Sequence, residues 1–211
     1  MVMTLESASV ADGAPIPPGY AVATPTADGK AEMAGGDRSP HLAWRGEPEG
    51  TRSFVVTVVD PDVPADKTRM GVEGLSLGDD EPRVDFAHWL LADIPASVHE
   101  IVEGADGDGF VPHGKPPGQT SFGAVSGANG YGGLFEGSDE LSGVYGGWDG
   151  PFPPWNDDCV HRYLITVYAL DVETLGLGPG FSLEDLRRAI DGHVLDEAQI
   201  VPTYTLNPAL R

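Results

Sequence analysis

The chain has 211 residues, 40% of them hydrophobic, and sets 33 acidic side chains against 12 basic ones for a formal net charge of -21. That length and apolar content suit one folded domain over residues 1–211 rather than a disordered chain, and the charge excess argues against nucleic acid and anionic membrane surfaces, which repel it. No stretch approaches the roughly 18–20 apolar residues of a membrane helix, and the N-terminus lacks the basic start and apolar run of a signal peptide, so the expected location is the cytoplasm. The acids are scattered along the chain, which fits either a halophilic source or an ordinary acidic cytosolic protein. With a single cysteine, Cys159, no intrachain disulfide forms and a cysteine-rich metal knot is excluded.

The first 15 or so residues are expected as an edge strand or a flexible arm. The first clear element is "FVVTVVD" (54–60), an apolar, β-branched run predicted as a buried strand. It ends in Asp60-Pro61-Asp62-Val63-Pro64, two carboxylates framed by prolines, which by itself reads as a turn. "FAHWLLADI" (86–94) is predicted as a second buried strand, and "VHEIVEG" (98–104) alternates like a strand with one wet face. In "HRYLITVYALD" (161–171) the alternation puts His161, Tyr163, Ile165 and Val167 on one face, with Arg162, Leu164, Thr166 and Tyr168 on the other. "IVPTY" (200–204) is expected as the last strand. One helix follows from "SLEDLRRAIDGHVL". Ser182 and Asp185 form a capping box, Phe181 and Leu186 a staple, and Gly192 sits where a helix stops. Two segments, 66–85 and 121–147, exceed the usual length of a structureless loop and read as insertions. With 29 Gly and 19 Pro spread as turn punctuation, the fold class is mostly β, a sandwich with one or two short peripheral helices.

Several pieces together carry a resemblance: "SPHLAW" (39–44), "EGTRSFVVTVVDPDVP" (49–64), "HWLLADIP" (88–95), "GPFPPWNDDCVHRYLITVYALD" (150–171) and "LEDLRRAIDGHVLDEAQIVPTY" (183–204). In that order they resemble the phosphatidylethanolamine-binding protein family, in its prokaryotic Raf-kinase-inhibitor-like branch. The resemblance implies a two-sheet β-sandwich with a small pocket at the strand ends. It further implies a non-catalytic pocket for a small anion such as phosphate or a phosphoryl head group, with no cofactor. Carried onto this chain, the pocket comprises Asp60, Asp62, Pro64, His88, Gly150, Pro151, Pro153, Pro154, His161 and Tyr163. The resemblance also implies a homodimer and, as an alternative role, regulation of a kinase or protease through the same pocket.

Carboxylates repel an anion, so their presence needs a reason. The expectation is that Asp60 holds and charges a histidine while His88 and His161 face the ligand. Backbone N–H groups of the Gly150–Pro154 loop are expected as further donors. Asp62 is an alternative acceptor for a ligand amine. Two rival readings stand beside this one. Two Asp and two His are legitimate metal ligands but lack a tight His pair, and Cys159 two residues from His161 is a conceivable thiolate pair for a hydrolase.

Overall fold

The computed structural model describes residues 2–211. The strands are β1 (Thr4–Glu6), β2 (Thr24–Pro25), β3 (Ala31–Glu32), β4 (Leu42–Arg45), β5 (Ser53–Pro64), β6 (Arg83–Pro95), β7 (Glu100–Ile101), β8 (Val125–Ser126), β9 (His161–Arg162), β10 (Leu164–Leu170), β11 (Val194–Ile200) and β12 (Thr203–Tyr204). Two helices, α1 (Tyr131–Leu134) and α2 (Leu183–Ile190), complete a mostly-β architecture.

The apolar run of β5 is continuous because this strand is buried on both faces. It lies at the centre of a five-stranded antiparallel sheet in the order β11-β10-β5-β6-β8. Phe54, Val56 and Val58 join Trp89, Leu91, Ile165 and Val167 in the main core, which Leu42, Trp44 and Ile101 of the three-stranded sheet β1-β4-β7 close from the other side. Val55, on the opposite face, packs with Leu90, Leu170 and the Leu186 side of α2. The predicted capping box is present, with Ser182 Oγ accepting from the Asp185 N–H and the Asp185 carboxylate accepting from the Ser182 N–H. Phe181 and Leu186 share the second core, as the staple requires.

Four expectations need correction. Asp60 to Pro64 is not a turn: β5 runs on through Pro64. "IVPTY" is split, Ile200 ending β11 and Thr203–Tyr204 forming β12 against β9. "VHEIVEG" contributes only Glu100–Ile101. The two long loops are not structureless. The first contains a 3-10 turn at Lys67–Arg69 and a fully buried Leu77, and the second contains β8 and α1.

The β5–β6 ladder slips three times, and two slips fall at the site. Val58 pairs with Trp89 but Val59 pairs with Ala87, which leaves His88 as the extra residue of a bulge. Asp60 pairs with Phe86 and Val63 with Val84, so Pro61 and Asp62 together oppose Asp85 alone. A bulge re-aims the side chains it carries. Here it turns His88, and separates Asp60 from Asp62, where plain alternation would have pointed both carboxylates the same way.

Candidate functional site

The two bulges and the Gly150–Pro154 loop surround a cavity of about 30 Å³, room for one or two water-sized groups. Its polar lining is Asp60, His88 and His161; Val63, Met70, Phe86, Tyr131, Leu134 and Phe152 supply most of the apolar rim, with Pro153 and Pro154 completing it.

On one side the polar groups form an alternating chain of charge. His161 is fully buried, with Nδ1 2.7 Å from Asp60 Oδ2 and Nε2 3.1 Å from Asp157 Oδ2. Burial opposes the imidazolium, but the bonds to Asp157 and Asp60 outweigh it and raise the pKa to about 9. Arg83 then grips Asp157 with two bonds of 2.6 and 3.0 Å. Burial raises the Asp157 carboxyl, yet His161 and Arg83 prevail and hold it below its ordinary value. Two carboxylates and two cations thus offset one another on this side of the cavity.

The other side is less complete. His88 Nδ1 is 2.7 Å from the Asp149 carbonyl oxygen, so it carries the proton and donates. Nε2 is then a buried nitrogen with no hydrogen-bond partner among the described residues. Burial pushes the His88 pKa down, although the Asp60 charge and the Asp149 carbonyl pull it up. The Tyr163 hydroxyl is buried and also unpartnered, and its ring stands edge-on to His88 with centroids 5.1 Å apart. Behind His88, Lys115 reaches the Asp149 carboxylate at 2.6 Å and Asp37 at 3.7 Å. One oxygen of Asp37 accepts from the Gly150 N–H at 2.8 Å while the other has no hydrogen-bond partner. Burial, reinforced by the Asp149 charge, pushes Asp37 up to about 8.

Of the residues expected at the pocket, the structure gathers Asp60, His88, Pro153, Pro154 and His161 around the cavity. Asp62 is directed elsewhere. Its carboxylate takes the Arg162 guanidinium at 2.9 and 2.7 Å and the Arg162 N–H at 2.9 Å, so neither oxygen is free for a ligand amine. Pro64 is buried at the end of β5 and Tyr163 lies behind His88. Pro151 is buried, its carbonyl accepting from the Val22 and Ala23 N–H groups. Gly150 is a packing glycine, since a Cβ there would stand 1.9 Å from the Tyr20 carbonyl oxygen. With the Gly150 N–H given to Asp37 and prolines at 151, 153 and 154, Phe152 holds the only other N–H of that stretch. His161 lines the cavity, but both ring nitrogens are bonded to carboxylates, so it does not face a ligand as a free donor.

Sequence reasoning missed Asp157, Arg83, Asp37, Asp149 and Lys115. Only Asp157, four residues before His161, carried a local signal. Among the described residues no cluster of three or more His, Cys, Asp or Glu is arranged to hold a metal ion. Cys159 contacts the Val160 carbonyl, its thiol pKa is raised by burial, and His161 has no nitrogen left to activate it.

The chain matches known proteins in sequence and in fold. A family model described as phosphatidylethanolamine-binding protein matches residues 6–205. The chain is 32% identical over 203 residues to a UPF0098 protein of Aquifex aeolicus, covering 96% of this chain and 88% of the relative. It is 31% identical over 173 residues to the UPF0098 protein YbhB of Escherichia coli, covering 81% and 84%. The crystal structure of E. coli YbcL, described as a new member of the mammalian PEBP family, superposes with a TM-score of 0.69 at 26% identity over 97% of this chain and 99% of that one. A PEBP homolog from Chlamydia trachomatis, CT736, superposes with a TM-score of 0.64 at 28% identity, over 96% and 97%. The chain belongs to the phosphatidylethanolamine-binding protein family.

Proposed function

We propose that this protein binds a small anion, phosphate or a phosphoryl head group, in the cavity beside His88, without catalysing its conversion. The observation that carries this reading is the buried, unpartnered Nε2 of His88 in a site whose other charges cancel. An unsatisfied buried polar atom costs roughly 1–3 kcal/mol, and a ligand that bonds it recovers that cost. Because His88 already donates through Nδ1, Nε2 of the neutral ring is an acceptor. The anion therefore brings its own proton, as a P–OH group does, or the ring takes one up on binding. Either route adds a bound proton to the complex, so affinity rises as pH falls.

Titration calorimetry with inorganic phosphate on the wild type and on His88→Gln tests this. The expected result is saturable binding that tightens about tenfold from pH 8 to pH 6 and is lost in the variant. No binding heat at either pH, on protein shown to be folded, overturns the reading.

A further inference from the structure

Behind His88 lies a group of charges that takes no part in lining the cavity. Asp37, Lys115 and Asp149 come from three separate loops, and both carboxyl side chains are fully buried. Asp37 has φ +43, a left-handed backbone uncommon outside glycine. Its N–H donates to the Ala21 carbonyl at 3.0 Å and its carbonyl accepts from the Gly109 N–H at 3.2 Å, which pins that conformation. Backbone outliers of this kind persist where the surrounding structure holds them, and they cluster at functional sites.

One peptide unit joins this group to His88. The carbonyl of the Asp149–Gly150 peptide accepts from His88 Nδ1–H at 2.7 Å, and the N–H of the same peptide donates to Asp37 Oδ1 at 2.8 Å. The unit is planar and rigid, so what holds one end orients the other. Its neighbours are clamped as well. The Asp149 carboxylate takes Lys115 Nζ and Asn129 Nδ2 at 2.6 Å each, and the Tyr131 hydroxyl donates to the Gly150 carbonyl at 2.5 Å. The second Asp37 oxygen, Oδ2, has no hydrogen-bond partner and stands 3.7 Å from Lys115 Nζ. The Asp37 and Asp149 carboxyls are within hydrogen-bonding reach of each other. Two ionised carboxylates only accept, so a bond between them requires a proton. A proton on Asp37 Oδ2 supplies it.

We infer that Asp37 and Lys115 are positioning residues for His88, acting through the Asp149–Gly150 peptide, and that one proton shared between the Asp37 and Asp149 carboxyls sets how strongly that peptide grips the ring. With the proton in place, Asp37 offers the Gly150 N–H a neutral acceptor. Once it leaves, the bond is charge-assisted and about twice as strong. Hydrogen bonds in series polarise one another. The peptide carbonyl then draws harder on Nδ1–H and leaves Nε2 the stronger acceptor toward the cavity. The changeover is expected near pH 8, where Asp37 gives up its proton. Asp106, raised to about 6, is already ionised there, and burial keeps the Tyr131 and Tyr145 hydroxyls neutral. Burial likewise keeps His88 itself neutral. Across the ring, Asp60 is bonded to His161, whose pKa of about 9 gives a later, separate step.

Proton and ¹⁵N NMR of the histidine rings tests this on the ligand-free protein, so the outcome is independent of the anion reading. The His88 signals are identified by their loss in His88→Gln. The expected result is an Nδ1–H ring whose Nδ1 proton moves downfield in a step centred near pH 8. Asp37→Asn keeps an acceptor for the Gly150 N–H and tolerates the positive φ; it retains the tautomer and loses the step. Asp37→Gly tolerates the same backbone but removes the acceptor; it loses the step and shifts the proton upfield at every pH. Lys115→Gln keeps a donor for Asp149 and removes the charge that favours ionisation, which moves the step up by about one pH unit or more. Circular dichroism verifies that each variant folds. A wild-type signal flat between about pH 7 and about pH 8.5 overturns the inference. So does a step that survives in Asp37→Asn, an unshifted proton in Asp37→Gly, or a step unmoved in Lys115→Gln.

Discussion

The two flanks of the cavity are built to opposite specifications. Around His161 the charged groups pair off: Asp60, His161, Asp157 and Arg83 alternate in sign and are joined by short bonds, and only Arg83 Nε is left without a partner. Around His88 the groups are as deeply buried but incompletely paired, with His88 Nε2, the Tyr163 hydroxyl and one Asp37 oxygen left over. A buried network with its charges paired fixes a shape and has little to offer a ligand, whereas one with several groups left over has bonds still to make. The proposed function rests on the second flank and treats the first as scaffold, which gives the two histidines different parts.

The most forceful way to break the contrast is to cut the saturated flank. Asp157→Ala strands buried cations, and removing one partner of such a network costs about 3–5 kcal/mol. For a chain of this size that lowers the melting temperature by about 10 °C, which thermal unfolding by circular dichroism measures.

Titration cuts the same flank reversibly. The folded His161 pKa of about 9 lies above the ordinary 6.5. Its contribution is therefore fully present below about pH 6.5 and is lost as pH rises through about 9. Asp37, raised to about 8 by burial, adds in the same direction, since it must ionise in place as pH rises, whereas Asp106, raised to about 6 by burial, contributes its loss below that range. Denaturant unfolding is expected to show stability falling by at least about 3 kcal/mol between pH 6 and pH 9. A flat profile removes the charged His161 from the scaffold.

On the unsaturated flank the effects on stability are smaller. Asp37→Asn keeps an oxygen for the Gly150 N–H and removes the acid that must ionise. It is expected to raise stability by at least about 1 kcal/mol at pH 9 and by less at pH 5, read from denaturant midpoints. The least effect belongs to Arg162→Ala. Its guanidinium is more than half exposed and grips Asp62 away from the cavity, so a loss of no more than about 1 kcal/mol is expected. Phosphate affinity should stay within about twofold of wild type; a larger loss places Asp62 back in the site.

The local pattern of the chain determined a good deal. The continuous apolar run of β5 announced a strand buried on both faces. The faces assigned in β9 and β10 hold: His161, Tyr163, Ile165 and Val167 are all buried. The box at Ser182 and Asp185 marked the start of α2. These features depend on the periodicity and hydrogen-bonding reach of neighbouring residues, which sequence displays directly. The ordered DPDVP, HW and GPFPPW…HR pieces also identified the family, and they lie at the strand ends that line the cavity.

Tertiary structure decided which of those residues meet. A strand is legible as alternation, but a bulge depends on the register of two strands together. It was the slips in the β5–β6 ladder that turned His88 to the cavity and sent Asp62 to Arg162. Asp60 and His161 stand 101 positions apart, and Lys115 lies 34 from Asp149; no local preference records such pairings. Nor does sequence length show that 66–85 and 121–147 are walls, because what holds them is the cross-chain reach of Asn156, Tyr131 and Lys67. Side-chain chemistry was readable residue by residue, while satisfaction of that chemistry belongs to pairs, and pairs exist only once the chain has packed.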